Sequence, residues 1–495
     1  MLTQEKVQQT SVLPLLRDAR LFREQAYIDG KWCSGPNGKV LAVTNPADQS
    51  YIGSVPALDE HDASRAVEAA QSAFPAWNAR LPQDRGAILH RWYELMHENR
   101  EDLAILMTLE QGKPLEESRG EIDYAASFLQ WYAEETRRIN VETITPHLPD
   151  CDMEVRRQPI GVVAAITPWN FPAAMITRKA AAALAAGCPV VVRPATETPF
   201  SALALAELAE RAGLPAGLFS VLTGDPEAIV GELNRDTRVR ALSFTGSTEV
   251  GRKLLAQGAS TVKRMSMELG GHAPFILFPD VPMDQAVSGA LAAKFATTGQ
   301  DCLAANRFYV HQDIYEPFLK AYAEAVSAQR VGNGLEAEVD LGPLMNEKAV
   351  AKCQEHVDDA VSKGARLLTG GGLHERGGLF FQPTLLADVT PEMKIYREET
   401  FGPVAAVCSF ASEEEVVHRA NDTEYGLAAY LYTHDHGRVK RISNQLEYGM
   451  VAVNRVKITG APIPFGGMKQ SGLGREGSRH GMEEFTEIQY VCSSA

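Results

Sequence analysis

An α/β fold with two doubly wound parallel-sheet domains and a small β arm is the class this sequence predicts, on three observations. The 495-residue length exceeds the roughly 250 to 300 residues at which a single core stops growing, so more than one domain is required. Short, continuous apolar runs alternate with segments of helical spacing across residues 159–269, and again from residue 273 to about 454. Such runs read as strands buried on both faces, which is the habit of parallel sheets covered by helices. Outside these series, residues 141–155 and 487–492 read as extended chain with no helical partner.

In chain order, residues 1 to about 25 carry no clear partner pattern and are expected to form a surface arm. Residues 26–32 predict a strand, a turn at Asp29-Gly30 and a second short strand. Residues 63–77 and 85–110 carry apolar side chains at helical spacing, among them Ile88, Trp92, Leu95, Met96, Leu103 and Leu106, and 121–137 predicts another helix. Residues 141–155 alternate and contain Pro146 and Pro149, which suits an edge hairpin.

The first series predicts strands at 162–166, 190–192, 218–222, 241–244 and 265–269, with helices at 175–186, 201–212, 228–233 and 249–257; Thr198-Pro199 opens the second of these helices. The second series places strands at 275–278, 307–311, 404–410, 427–432 and 450–454, and residues 370–378 are a Gly-rich loop. The tail strand 487–492 needs a partner; the hairpin at 141 onward, of this or another subunit, would supply one and remove an exposed edge.

A formal charge of −15 argues against nucleic acid, whose phosphates need concentrated Lys and Arg. Seven scattered cysteines with no CxxC pair and no Cys/His cluster at zinc spacing suit a reducing compartment and no metal. Early acidic residues (Glu5, Asp18, Glu24) disfavour a secretory or transit segment, and the small-apolar stretch 180–192, broken by Gly187 and Pro189, is too short to span a bilayer. The expectation is a soluble, cytoplasmic protein with no membrane partner.

Cys302 stands apart from the other cysteines. It lies in the polar turn Gly299-Gln300-Asp301-Cys302-Leu303 between apolar segments, whereas Cys408 sits inside the apolar run 404–410. Thr167-Pro168-Trp169-Asn170 and Phe244-Thr245-Gly246-Ser247 follow predicted strands, and the latter runs into a helix whose N–H groups suit a diphosphate. Glu268 precedes Leu269-Gly270-Gly271 at a strand end. His434-Asp435-His436 lacks a third ligand and reads as a polar turn.

Taken with Glu398-Glu399-Thr400-Phe401-Gly402-Pro403 and Pro464-Phe465-Gly466-Gly467, these stretches resemble the NAD(P)-dependent aldehyde dehydrogenase superfamily from about residue 25 to the end. The succinate-semialdehyde dehydrogenase branch is most similar, through Met175 to Lys179 and Gly472 to Gly477. The resemblance implies an aldehyde dehydrogenase-like fold: a Rossmann-like NAD(P)-binding domain at 1–140 and 159–269, a catalytic domain at 270–468, and an oligomerisation arm at 141–158 and 469–495 serving a dimer or tetramer.

It further implies Cys302 as nucleophile, Glu268 as general base, Asn170 as oxyanion donor and Lys179 on the nicotinamide side of the site. Ile166, Thr167, Pro168, Trp169, Arg193, Ala195, Thr196, Phe244, Gly246, Ser247, Val250, Leu269, Glu399 and Phe401 are implied on NAD⁺ or NADP⁺. Arg193 stands where the family usually has Lys, and Thr196 where many NAD-preferring relatives have Glu; without that carboxylate a 2′-phosphate is not repelled, so both cofactors are expected.

The implied substrate contacts are Phe171, Met175, Arg178, Asp301, Leu303, Arg455, Lys457, Thr459 and Phe465. The branch binds its carboxylate with two Arg and a Ser, of which only Arg178 remains here; Ala296 and Thr459 hold the other positions. Loss of one arm should weaken carboxylate selectivity by roughly 1.5 to 3 kcal/mol unless Arg455 or Lys457 replaces it. The leading expectation is oxidation of an ω-semialdehyde to its acid. The alternatives are a dehydrogenase of aromatic or other non-carboxylated aldehydes, a catalytically silent relative, a CoA-acylating enzyme and a cofactor-free cysteine hydrolase.

Overall fold

The structure, a computed structural model, describes residues 11–35, 38–139 and 141–494. Two largely parallel sheets carry the molecule. The first runs in the order Gly472–Leu473, Arg264–Glu268, Val239–Thr245, Val162–Ile166, Val190–Arg193, Phe219–Val221, Ala26–Ile28, Lys31–Cys33, with its central strands parallel and its two margins antiparallel. The second runs Arg366–Thr369, Thr384–Ala387, Val404–Phe410, Ala305–His311, Ala273–Leu277, Ala428–Tyr432, Met450–Val453 and is parallel except at its first strand. Val162–Ile166 and Val190–Arg193 in the first sheet, and Ala273–Leu277 and Ala428–Tyr432 in the second, are buried along their whole length, as continuous apolar runs require.

The tail Thr486–Ser494 pairs with Cys151–Pro159 of the same chain along its full length, and Glu142–Ile144 completes this third sheet. The hairpin at 26–33 turns through Asp29 and Gly30, both with positive φ.

Several expectations need correction. Of the expected arm at 1–25, residues 1–10 lie outside the described residues; the remainder docks on the helical layer, burying Val12 and Leu21 and donating the Arg17 and Asp18 N–H groups to Asp102. The helical run 85–110 is two helices, Pro82–Glu98 and Arg100–Gln111, because Asn99 leaves helical geometry and turns its amide onto the Leu95 carbonyl at 2.8 Å. The tail from 469 is not all arm: Gly472 and Leu473 pair with Glu268 and Met267 at the margin of the first sheet. The hairpin Val40–Thr44/Tyr51–Pro56 and the strands Arg366–Thr369 and Thr384–Ala387 have no counterpart in the sequence reading, being short, and both pairings carry a register shift.

The two sheets present opposite ends to each other. Asn170, Gly246 and Glu268 follow or end strands of the first sheet at their carboxyl ends, while Cys302 immediately precedes the amino end of Ala305–His311 in the second. The space between these edges is the principal cleft.

Candidate active site

A cleft of about 1250 Å³ is lined by Cys302, Asn170 and Glu268 together. The spatial grouping on which the sequence reading depends is therefore met.

Cys302 is half-buried. The turn leading to it is unusual: Thr297 (φ 50°, ψ 35°) and Thr298 (φ 58°, ψ 31°) are left-handed, and Gly299 follows at φ 72°. A β-branched residue in that region costs on the order of 1 to 3 kcal/mol and persists only where its surroundings fix it. Here Thr298 Oγ1 donates to the Gly342 carbonyl at 3.1 Å, and Gln300 Oε1 accepts the Met345 N–H at 2.9 Å. A Cβ on Gly299 would meet the Gly402 carbonyl oxygen at 2.3 Å, so the turn also packs directly on the segment after Phe401. Asp301 closes the turn by accepting the Leu303 N–H at 2.9 Å.

Asn170 Nδ2 donates one proton to the Gln300 carbonyl at 3.0 Å, tying its loop to the Cys302 turn and leaving its second N–H available. Glu268 ends its strand with Leu269 N–H donating to the Ser471 carbonyl at 3.0 Å and Ser471 Oγ donating to the Gly270 carbonyl at 2.7 Å. The two glycines after it let the chain run against the nucleophile: a Cβ on Gly271 would stand 2.3 Å from the Cys302 carbonyl oxygen.

Both Glu268 carboxylate oxygens are buried without a hydrogen-bond partner. Burial lifts this carboxyl to about 7, against Arg178, Lys179 and the adjacent Cys302 thiol. Cys302 lies well above the usual thiol value because of burial first and the Glu268 and Asp301 carboxyls next, with Arg178 opposing. The resting pair is thus a neutral thiol beside an acceptor poised near neutrality, an arrangement able to move a proton from sulfur to carboxylate.

Arg178 and Lys179 are more encumbered than expected. Glu476 lies against both, with its Oε2 2.6 Å from Arg178 Nε in an ion pair and its Oε1 bonded to Lys179 Nζ. Burial opposes ionisation of Glu476, but the two cations together hold its carboxyl below the usual range. Arg178 still lines the cleft, stacked 4.1 Å from the Phe465 ring. Lys179 does not line it; Nζ donates to Thr245 Oγ1 at 2.6 Å beneath the floor. Arg455 is also outside, its Nε turned onto the Lys457 carbonyl at 2.8 Å, while Lys457 and Thr459 line the wall. Phe171, Met175, Asp301, Leu303 and Phe465 line the cleft as expected.

On the cofactor side, Pro168, Trp169, Gly246, Ser247, Leu269, Glu399 and Phe401 line the same cleft. Glu399 Oε1 accepts the Gly271 N–H at 3.0 Å, and the Trp169 and Phe401 rings meet edge to face at 5.6 Å. Ile166, Thr167, Arg193, Ala195, Thr196, Phe244 and Val250 lie outside the cleft, on or just beyond strands of the first sheet or in the helix after one. Two of them fit a dinucleotide: Thr167 Oγ1 and Arg193 Nε are buried and unpartnered, polar groups that a ribose could satisfy. Ser247 caps the helix Thr248–Gly258, whose first N–H groups suit a diphosphate. Arg193 Nη2 donates to Thr196 Oγ1 at 2.7 Å.

Sequence reasoning missed Glu476, Lys113, Glu117 and Glu121. Lys113 and Glu121 form a fully buried ion pair at 2.7 Å, and the Lys113 ammonium lies 4.2 Å over the Phe171 ring. For Glu117 and Glu121 the available signal was charge within apolar helical spacing, which is ordinarily a solvated face, and Lys113 and Glu476 lie in connecting segments that carry no such pattern. Among the described residues no cluster of three or more His, Cys, Asp or Glu suited to a metal occurs, and no helix is long and apolar enough to cross a membrane.

Comparison with known proteins agrees with this geometry. The model of the aldehyde dehydrogenase family matches residues 32–491. An aspartate-semialdehyde dehydrogenase (non-phosphorylating) of Halomonas elongata is 56% identical over 480 residues, covering 97% of both chains. The NADP⁺-dependent succinate-semialdehyde dehydrogenase of Escherichia coli is 55% identical over 96% of this chain and 99% of its own. The crystal structure of a succinate-semialdehyde dehydrogenase from Burkholderia pseudomallei superposes with a TM-score of 0.96 at 52% identity, covering 97% of this chain and all of that one.

Proposed function

The chain belongs to the aldehyde dehydrogenase family, whose members oxidise aldehydes with NAD(P)⁺, and from that premise we propose that it converts an ω-semialdehyde such as succinate semialdehyde to the dicarboxylic acid. The observation that carries the chemistry is the pair of unpartnered, buried Glu268 oxygens facing the same cleft as the Cys302 thiol and the Asn170 amide.

Glu268 takes the thiol proton, and the Cys302 sulfur forms a bond to the aldehyde carbon. The oxygen of that carbon becomes an alkoxide, held by the free Asn170 N–H and the Cys302 backbone N–H, each aimed where charge develops. A bound dinucleotide supplies the acceptor for the hydride that leaves this carbon. Glu268 first gives the thiol proton to solvent; the resulting Cys302 thioester is then cleaved when Glu268 removes a proton from water whose oxygen bonds to the carbonyl carbon, the C–S bond breaks, the sulfur leaves as thiolate and regains its proton from Glu268, and the carboxylic acid departs.

Glu399 and the 246–248 turn hold the nicotinamide ribose and diphosphate in this reading, and Arg193 with Thr196 receives the adenosine ribose with or without a 2′-phosphate, so both NAD⁺ and NADP⁺ serve. The first sheet and its helices (1–140 and 159–269) hold the dinucleotide, residues 270–468 carry the nucleophile, and 141–158 with the tail associate copies into a dimer or tetramer.

Support for a carboxylated substrate comes from the semialdehyde named for two relatives, and from Arg178 and Lys457 on the cleft wall. A second reading, oxidation of a non-carboxylated aldehyde, is favoured by the Glu476 contact that neutralises Arg178 and by the aromatic lining of Tyr124, Trp131, Phe171 and Phe465. The test is kcat/KM for succinic, glutaric, aromatic and aliphatic aldehydes with each cofactor. The proposal expects the carboxylated substrates to lead by about tenfold or more, the scale of one charged hydrogen bond; a lead for neutral aldehydes of equal length selects the second reading.

A further inference from the structure

One helix reaches both halves of the reacting centre. The helix Leu115–Glu135 runs along the cleft, and Glu117 and Glu121 stand one turn apart on the same face. Both Glu117 oxygens lie within hydrogen-bonding reach of the Thr297 N–H, at 2.9 and 3.1 Å. That amide belongs to the first of the left-handed threonines before Cys302.

Glu121 works on the other side. Its Oε1 accepts the N–H groups of Ala173 and Ala174 at 3.0 and 3.2 Å, and its Oε2 accepts from Lys113 Nζ at 2.7 Å. The same ammonium donates to the Asn170 carbonyl at 2.7 Å. Residues 170–174 are therefore gripped at both ends, and the grip ends on the helix that also grips Thr297. The two gripped loops touch through the Asn170 amide on the Gln300 carbonyl.

We infer that Glu117 and Glu121, with Lys113, are positioning residues that set the separation between the Cys302 turn and the Asn170 loop. This inference rests on the proposed roles of Cys302 and Asn170. The helix acts as a rigid spacer: at i and i+4 the two carboxylates are about 6 Å apart along its axis, and neither loop can shift without breaking a charge-assisted hydrogen bond. Tyr124 and Trp131, on the next turns of the same helix, line the cleft, so the element that holds the two loops also forms part of its wall. Burial pushes the Glu117 carboxyl up to about 7, with the Thr297 N–H and Lys113 opposing.

The test uses the full-length enzyme. Glu117→Ala removes the acceptor and should lower kcat on the order of 100-fold, the scale of a 1 Å misplacement, with the dissociation constant for NADP⁺ within about twofold of the parent. Glu117→Gln keeps an acceptor of the same shape and should restore most of the rate. The rate of Cys302 alkylation by iodoacetamide should change in Glu117→Ala and return in Glu117→Gln. Because Glu121→Gln alone strands a buried ammonium, the double variant Lys113→Met/Glu121→Gln removes both charges; it should lower kcat while leaving Cys302 alkylation as in the parent, since it acts through Asn170. Parental kcat in both Glu117→Ala and the double variant overturns the inference, as does a Glu117→Ala loss that Gln fails to rescue. Turnover retained in Cys302→Ala would instead overturn the underlying reading of the site, so the two failures are distinguishable.

Discussion

The floor of the cleft and its outer wall are built differently. At the floor, the Cys302 turn, the Asn170 loop and the Glu268 strand end are each tied by hydrogen bonds to segments remote in sequence, from Glu117 and Glu121 to Gly342, Met345 and Ser471. At the wall, Arg455 and Lys457 are exposed, and the Arg455 side chain turns back to donate to the Lys457 carbonyl of its own loop. Lys457 has no ion-pair partner among the described residues. A rigid floor fixes which bonds are made and broken, while an exposed wall changes its charge at little structural cost. Under the proposed roles the floor carries the chemistry, and the cations of the wall tune the choice of substrate.

That contrast predicts a steep ordering of effects. Cys302→Ala should lower aldehyde oxidation by at least about 1000-fold while cofactor binding, followed by protein fluorescence, stays nearly intact. Residual turnover near the parental rate would place the nucleophile elsewhere and erase the distinction between floor and wall.

The pH dependence should come from the floor as well. Glu268 acts as a base only when ionised, and its carboxyl is raised to about 7 chiefly by burial. The sign is therefore a kcat that falls by about tenfold per unit as pH drops below that value and levels off above it. A profile flat from pH 5 to 8, a range in which an ordinary Glu near about 4.3 is already ionised, would contradict a Glu268 base whose carboxyl is raised by burial.

Smaller effects belong to the two cations that line the cleft, the buried Arg178 and the exposed Lys457. Arg178→Ala should raise KM for a carboxylated aldehyde more than for a neutral one of equal length, and Lys457→Ala should do the same by about threefold to tenfold. Equal effects on both substrates would remove these cations from recognition. Because Glu476 already neutralises Arg178, the account expects Lys457 to contribute a share that the sequence alone assigned to the arginine.

Much of this was legible before any coordinates. Alternating apolar runs gave the central parallel strands of both sheets but not the strands Arg366–Thr369, Thr384–Ala387 and Gly472–Leu473, since burial on two faces leaves no polar positions to disguise a strand such as Val162–Ile166. The pairing of Thr486–Ser494 with Cys151–Pro159 followed from the need to cover an edge. Of the three central groups, Cys302 interrupts a pattern, a thiol in a polar turn between apolar segments, while the roles of Glu268 and Asn170 came with the family resemblance of the stretches that hold them. Glu117, Glu121 and Glu476 interrupt nothing. On a helix or in a tail, a charged residue looks like solvated surface, and its partner lies far along the chain: 180 residues for Glu117 and Thr297, 297 for Lys179 and Glu476. Long-range electrostatics has no local signature, which is also why Lys179 and Arg178 were expected free.

The most direct test is to trap the covalent intermediate. In Glu268→Gln, prolonged mixing with aldehyde and NADP⁺ followed by acid quench should leave the acyl group on the peptide containing Cys302, at a stoichiometry approaching one per site; the burst of reduced cofactor should be slower than in the parent, because Gln cannot take the thiol proton, and be followed by little further turnover, because Gln cannot activate water. An unmodified Cys302 peptide after such a burst, or acylation at any other residue, would contradict the assignment of nucleophile and base.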